Sequence, residues 1–155
     1  MKWQSPEEWA KLKLGFGCTF CDDVLSVENE FSFKVIELKR SVVRLPRNQY
    51  LRGWTIVILK RHANELFELE PGERAEYWDE VAAVARALYG IHDPAKINYC
   101  VWGNMVPHLH CHLFVRTFDD DPGKPIDQNE REVLLEHEEY QRMIADLCER
   151  LHQEG

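Results

Sequence analysis

Long apolar runs are missing from this chain: no window approaches the ~18 uninterrupted apolar residues that a membrane-spanning helix requires. The opening stretch, MKWQSPEEWAKLKLGFG, places acidic side chains inside its only apolar segment, unlike a secretory signal or an organellar transit peptide. The cytoplasm is the compartment this predicts. Basic residues are in deficit, with 19 Lys and Arg against 27 Asp and Glu and a formal net charge of -8. Broad electrostatic binding of DNA or RNA needs a basic face, so no nucleic-acid partner is expected. A small anionic substrate stays open, because a local site can be positive on an acidic protein. The cysteines are odd in number: Cys18, Cys21, Cys100, Cys111 and Cys148. With no export signal, that count does not describe a disulfide scaffold. Repeats, low-complexity tracts and Gly/Ser linkers are also lacking, so residues 1–155 read as a single domain.

What is present is ordinary globular material, 45% apolar and 30% charged. FSFKVIEL (31–38) alternates apolar and polar residues as a strand does, and SVVRLP after it reads as a second strand. The turn-rich PRNQYLRG leads into WTIVILK (54–60), a β-branched run typical of a central strand. Pro71 and Gly72 open a helix to about Tyr89, with Trp78, Val81, Ala82, Ala85, Leu88 and Tyr89 on one stripe and Gly90 placed to end it. KINYCVW (96–102) and HLHCHLFV (108–115) read as two more strands, and DDDPGKP as an acidic turn. From about Asp127 an amphipathic helix is expected, burying Val133, Leu134, Tyr140, Met143, Ile144, Leu147 and Leu151. The predicted fold is α+β: a roughly five-stranded antiparallel sheet with one long central helix and a C-terminal helix.

His108, His110 and His112 are spaced by two, so a strand sends all three imidazoles to one side and Leu109, Cys111 and Leu113 to the other. Three readings compete. The residues could decorate a solvated sheet face, although histidine has no strand propensity to explain the triplet. They could bind a catalytic metal with one position open to water. They could supply a nucleophilic imidazole flanked by imidazoles that handle charge and protons, work suited to a pKa of about 6.5. Cys18-Thr-Phe-Cys21 has the spacing that lets two thiolates share one metal. Two buried thiols or a redox pair are the other readings, and no βαβ context supports the second. Cys100, Cys111 and Cys148 read as core, His92, His137 and His152 as exposed, and Trp54, Trp78 and Trp102 as packing residues.

HLHCHLF resembles the His-φ-His-φ-His-φ-φ motif of the histidine-triad (HIT) superfamily, where φ is apolar. GWTIVILKRHANELFEL is similar to that family's strand and His-containing turn, and KINYCVWGNMVPHLHCHLFVR to its last two strands. The likeness spans about residues 18–118, leaving 119–155 as a C-terminal extension with a helix. The resemblance implies a HIT-like fold, commonly homodimeric, and an enzyme that cleaves a phosphoanhydride of a dinucleoside polyphosphate or related nucleotide. In that family the middle histidine, here His110, attacks the α-phosphorus to give a nucleotidyl-histidine, and water then releases a nucleoside monophosphate. His112 would assist the leaving group. Asn98, Asn104 and Asn48 match positions that contact phosphate or ribose, Asn104 standing where many relatives carry Gln. Met105 replaces the hydroxyl residue of the nucleoside phosphoramidase branch, and His112 stands where the transferase branch has Gln. GN-x-VPHLH-x-H followed by Arg116 is most like the bacterial dinucleoside polyphosphate hydrolase-like members. A phosphoramidase and a nucleotide-binding regulatory module with weak activity are the alternatives.

The resemblance also implies a zinc site, since relatives with this CxxC bind zinc through residues matching Cys18, Cys21, His62 and His108. Four protein ligands leave no open position, so such a zinc would be structural. Mg²⁺ carried in by a polyphosphate would need no dedicated site.

Overall fold

Alternation along the strands sorts side chains onto two faces, and the two faces find different partners. The structure, a computed structural model, describes residues 2–127 and 131–153. Five strands form one antiparallel sheet: β1 (Ser32–Glu37), β2 (Ser41–Pro46), β3 (Thr55–Leu59), β4 (Lys96–Cys100) and β5 (His110–Arg116). Their order across the sheet is β1-β2-β3-β5-β4. One face, carrying Val43, Leu45, Val57, Leu59, Ile97, Cys111, Leu113 and Val115, packs on helix α3 (Pro71–His92) and helix α4 (His137–Gln153). The opposite face carries Trp54, Ile56, Ile58 and Phe114, partly covered by Phe20 and Val24 of the short helix α2 (Thr19–Leu25). A further helix, α1 (Pro6–Lys13), opens the chain behind a Ser5–Glu8 capping box. No helix among the described residues is long and apolar enough to cross a membrane.

Helix α3 runs past Gly90 to His92. An interior glycine costs a helix only about 1 kcal/mol, and Ile91 beyond it still packs against the core. The stop comes from Asp93, which takes a left-handed conformation (φ 44°, ψ 55°) just before Pro94. Tyr77 and Val84 join Val81, Ala85 and Leu88 in the buried stripe, whereas Ala82 and Tyr89 face solvent. The start of the expected C-terminal helix also shifts. Residues 131–136 are not helical and α4 begins at His137; residues 128–130 of that expectation lie outside the described residues. The non-helical segment instead tethers to the turn after β2. Gln49 N–H donates to the Val133 carbonyl at 2.8 Å, and Asn48 Oδ1 accepts from Val133 N at 2.9 Å. Val133 is therefore half-buried and Leu134 exposed, while Tyr140, Leu147 and Leu151 enter the core.

Arg44, in the middle of β2, is fully buried. Its guanidinium donates to Ser32 Oγ (2.7 Å) and to the carbonyls of Asp23 (2.6 Å), Ser26 (2.7 Å) and Ser32 (3.0 Å). One cation thereby pins the end of α2 to the edge of the sheet. Arg44→Met, which keeps the stem and strands those acceptors, is expected to cost about 3 kcal/mol in urea denaturation. A loss below about 1 kcal/mol would show that water satisfies them equally well.

Candidate functional site

Strand register places the histidines. Ile58 lies opposite His110, and Ile56 and Cys100 flank His112 from the two neighbouring strands. His110 and His112 thus share a face with Ile56, Ile58 and Phe114, while Cys111 and Leu113 enter the core on the other side. Both rings are nearly buried, 5% and 4% exposed, yet both line a cleft of about 570 Å³. Phe20 leans over His110 with ring centroids 4.5 Å apart.

Hydrogen-bond partners at the two ends of this pair determine where the protons sit. His110 Nδ1 lies 2.6 Å from the His108 carbonyl oxygen. A carbonyl only accepts, so Nδ1 carries the hydrogen and Nε2 holds the lone pair. His112 Nδ1 lies 3.2 Å from Trp54 Nε1, an indole nitrogen that only donates. His112 therefore carries its hydrogen on Nε2 and directs it at His110 Nε2, 3.0 Å away. Burial pushes the His110 imidazole below its ordinary pKa. Burial, reinforced by His110 beside it, pushes His112 down to about 3. Both rings are neutral near neutrality, and the cleft holds an imidazole whose Nε2 lone pair accepts from the N–H of its neighbour.

Asn104 and Asn48 line the cleft, together with Asp23 and Glu132. Asn48 is heavily engaged: Oδ1 accepts from the Tyr50 and Val133 amides, and Nδ2 donates to the Arg131 carbonyl. Asn98 does not line the cleft; its Oδ1 accepts from Arg116 Nη1 at 3.2 Å. Trp54 packs with Ile56, Ile58 and Phe114 as expected, whereas Trp102, also expected to pack, is 38% exposed. Both line the cleft, and their rings sit 5.7 and 5.2 Å from that of His112. Strand alternation carries the signal for Trp54, since it shares a face with Ile56 and Ile58, but only the β3–β5 register brings that face to His112. His92, expected to be exposed, is half-buried against Gly53. Gly53 has φ +93°, and a Cβ there would lie 2.8 Å from His92 Nε2 and 2.7 Å from Val115 Cγ2.

A second cluster adjoins the first. Cys18 caps α2 and Cys21 follows one turn later, so both thiols point the same way. His62 follows β3 and His108 precedes β5, and the ligand atoms of all four lie within 4.8 Å of one another. Cys18 Sγ is 3.3 Å and Cys21 Sγ 3.5 Å from His108 Nδ1, and Cys21 Sγ is 3.4 Å from His62 Nδ1. A tetrahedral zinc with ordinary bond lengths separates its S and N ligands by about 3.6 Å, so the spacing fits. The outer contacts fit as well. His108 Nε2 donates to the Leu59 carbonyl at 2.7 Å and His62 Nε2 to the Lys13 carbonyl at 3.0 Å, leaving both Nδ1 lone pairs facing the thiols. Burial pushes His108 down to about 4, which keeps the ring a neutral ligand. Burial and the neighbouring Cys18 push the Cys21 thiol up to about 12. A bare Cys21 thiolate is thus disfavoured here, the situation a divalent cation reverses. These four side chains could hold a metal ion.

None of the curated proteins matches this chain. Solved structures do. A histidine triad protein of Bradyrhizobium japonicum is 26% identical, with a TM-score of 0.72 over 79% of this chain and 92% of that one. A histidine triad (HIT) protein of Sinorhizobium meliloti is 26% identical, with a TM-score of 0.71 over 77% and 89%. A Zn-bound histidine triad family protein of Mycobacterium smegmatis, 22% identical, shares the fold with a TM-score of 0.63 over 88% and 94%. The HIT domain family model matches residues 28–119, more than half of the chain and all five strands. The chain belongs to the histidine triad (HIT) domain family.

Proposed function

We propose that the protein is a nucleotide hydrolase that cleaves a phosphoanhydride through a nucleotidyl intermediate on His110. One observation carries this reading. His110 Nε2, kept unprotonated by the Nδ1–H···O=C bond to His108, belongs to a ring lining a cleft of aromatic and a few polar groups, where phosphorus would replace the His112 N–H on its lone pair. Phe20, Phe31, Trp54 and Trp102 offer faces to a nucleobase, and the Asp23 and Glu132 carboxylates can accept from ribose hydroxyls. Asn104, on the cleft wall, is placed to contact a bound phosphate.

The steps follow from the donors and acceptors. His110 Nε2 attacks phosphorus, an N–P bond forms, and the P–O bond to the leaving phosphate breaks with its electron pair on oxygen. The His110 ring becomes cationic, and the 2.6 Å bond from Nδ1–H to the His108 carbonyl steadies that charge. His112 Nε2–H, within reach of the same centre, donates to the oxygen gaining charge. Water then attacks phosphorus, the N–P electron pair returns to His110 Nε2, and a proton passes to solvent with release of a nucleoside monophosphate.

Zinc on Cys18, Cys21, His62 and His108 completes the proposal. It is structural, holding the N-terminal segment against the residue whose carbonyl orients His110. Mg²⁺ enters with the polyphosphate. A reducing cytoplasm keeps the thiols available as ligands.

Diadenosine tetraphosphate is the direct probe. The reading expects catalytic release of adenosine monophosphate, and nucleotide binding without turnover would replace it with a binding module. The pH profile adds a sign. Attack needs neutral His110, so the rate falls as pH drops through its pKa, which burial holds below the usual value. The acid limb of kcat/KM is expected below about 6.5. A limb above that value would contradict a buried, neutral nucleophile.

A further inference from the structure

Trp54 closes one end of the hydrogen-bond chain through the two histidines, and its chemistry is one-sided. An indole N–H donates and offers no lone pair in return. At 3.2 Å from that donor, His112 must present the Nδ1 lone pair and keep its proton on Nε2. The His108 carbonyl at the far end only accepts and imposes the same polarity through His110. A second proton on His112 would have to enter at Nδ1, directly facing the indole N–H, donor against donor. The ring has little room to turn away: Trp54, Trp102 and Phe114 surround it at centroid distances of 5.7, 5.2 and 5.8 Å.

We propose that Trp54 confines His112 to a neutral hydrogen-bond donor at Nε2, restricting the site to leaving groups that depart without taking up a proton. The restriction rests on the reaction proposed above and names its substrate class. In a phosphoanhydride, the P–O electron pair leaves on a phosphate oxygen that is stable as an anion near neutrality. His112 steadies that oxygen and keeps its hydrogen. In a phosphoramidate, the leaving nitrogen must gain a proton as the P–N bond breaks. Neutral His112 could supply it only by becoming an imidazolate, because Trp54 cannot return a proton at Nδ1. General acid catalysis is worth about 10²–10⁴-fold, and the site forgoes it for amines.

The test compares diadenosine tetraphosphate with an adenosine phosphoramidate in wild type and Trp54→Phe, alongside ¹⁵N NMR of the His112 ring. Wild type is expected to favour the anhydride by about 10²-fold or more in kcat/KM, with His112 protonated on Nε2 alone. Trp54→Phe removes the donor and keeps a ring. It is expected to narrow the preference about tenfold in kcat/KM, by slowing the anhydride and speeding the phosphoramidate, while the spectrum gains the Nδ1–H tautomer. Equal cleavage of both substrates by wild type, or a wild-type His112 protonated on Nδ1, overturns the restriction and leaves the reaction standing. Cleavage of neither defeats the reaction itself. Should Trp54→Phe fail to fold, the wild-type preference and tautomer decide the matter.

Discussion

Replacing His110 by alanine is expected to lower turnover by at least about 10⁴-fold while nucleotide binding persists. The loss is large because no neighbouring group can take over. His112 directs an N–H rather than a lone pair at the reacting centre, and its remaining lone pair faces Trp54. His108 points its Nδ1 at the Cys18 and Cys21 thiols and its Nε2 at the Leu59 carbonyl. Cys111 lies on the opposite face of the strand, its thiol pushed up to about 12 by burial. Binding should survive because Trp54 and Trp102 pack against His112 rather than the His110 imidazole, and the space vacated opens into the cleft. Parallel measurements of turnover and nucleotide affinity on wild type and variant settle it. Similar turnover in both proteins, whether high or near zero, would remove His110 from the chemistry.

Cys18→Ser is expected to lower the zinc content from about one per chain and Tm by about 10 °C, for a loss of about 3 kcal/mol in a chain of this size. The four ligands come from separated parts of the chain: the start of α2, the turn after β3 and the entry to β5. Neither α1 nor α2 buries a residue of its own completely, so little apolar contact would hold the N-terminal segment without the metal. Activity should fall less than stability, because His110 stays on β5 in register with Ile58. Elemental analysis and thermal denaturation of the two proteins measure both quantities. A variant that melts like wild type but has lost all activity would make the metal part of the chemistry.

The strands were legible because they alternate with period two or, like WTIVILK, form a short β-branched run bounded by polar turns. The helices α1 and α2 were not, because an apolar stripe is the main helical signal in a sequence and neither packs deeply enough to need one. The end of α3 was misplaced at Gly90. Glycine weakens a helix without ending it, and packing of Ile91 overrides so small a cost. Periodicity also carried the C-terminal helix too far toward its N-terminus, where the Asn48 side chain and the Gln49 amide hold the backbone of Arg131 and Val133.

At the site, spacing alone placed His110 and His112 on one face and brought Cys18 and Cys21 together, since both are local relations. Cross-strand relations were the opaque part. Trp54 reads as one more large apolar residue until β3 is registered against β5, which turns its N–H toward His112. Nothing local in SVVRLP marks Arg44 as buried, because its acceptors are carbonyls brought in by the α2 end and β1. Asn48 and Asn98 read alike as polar candidates, yet one lines the cleft while tied to residues 131–133 and the other bonds Arg116.

Rapid chemical quench of the enzyme mixed with diadenosine tetraphosphate, followed by peptide mass spectrometry, addresses the central proposition directly. The expected result is an adenylyl group on the peptide carrying His110, formed within the first turnover and absent from His110→Ala. Turnover with no adduct at any quench time, or an adduct on a different side chain, would contradict it.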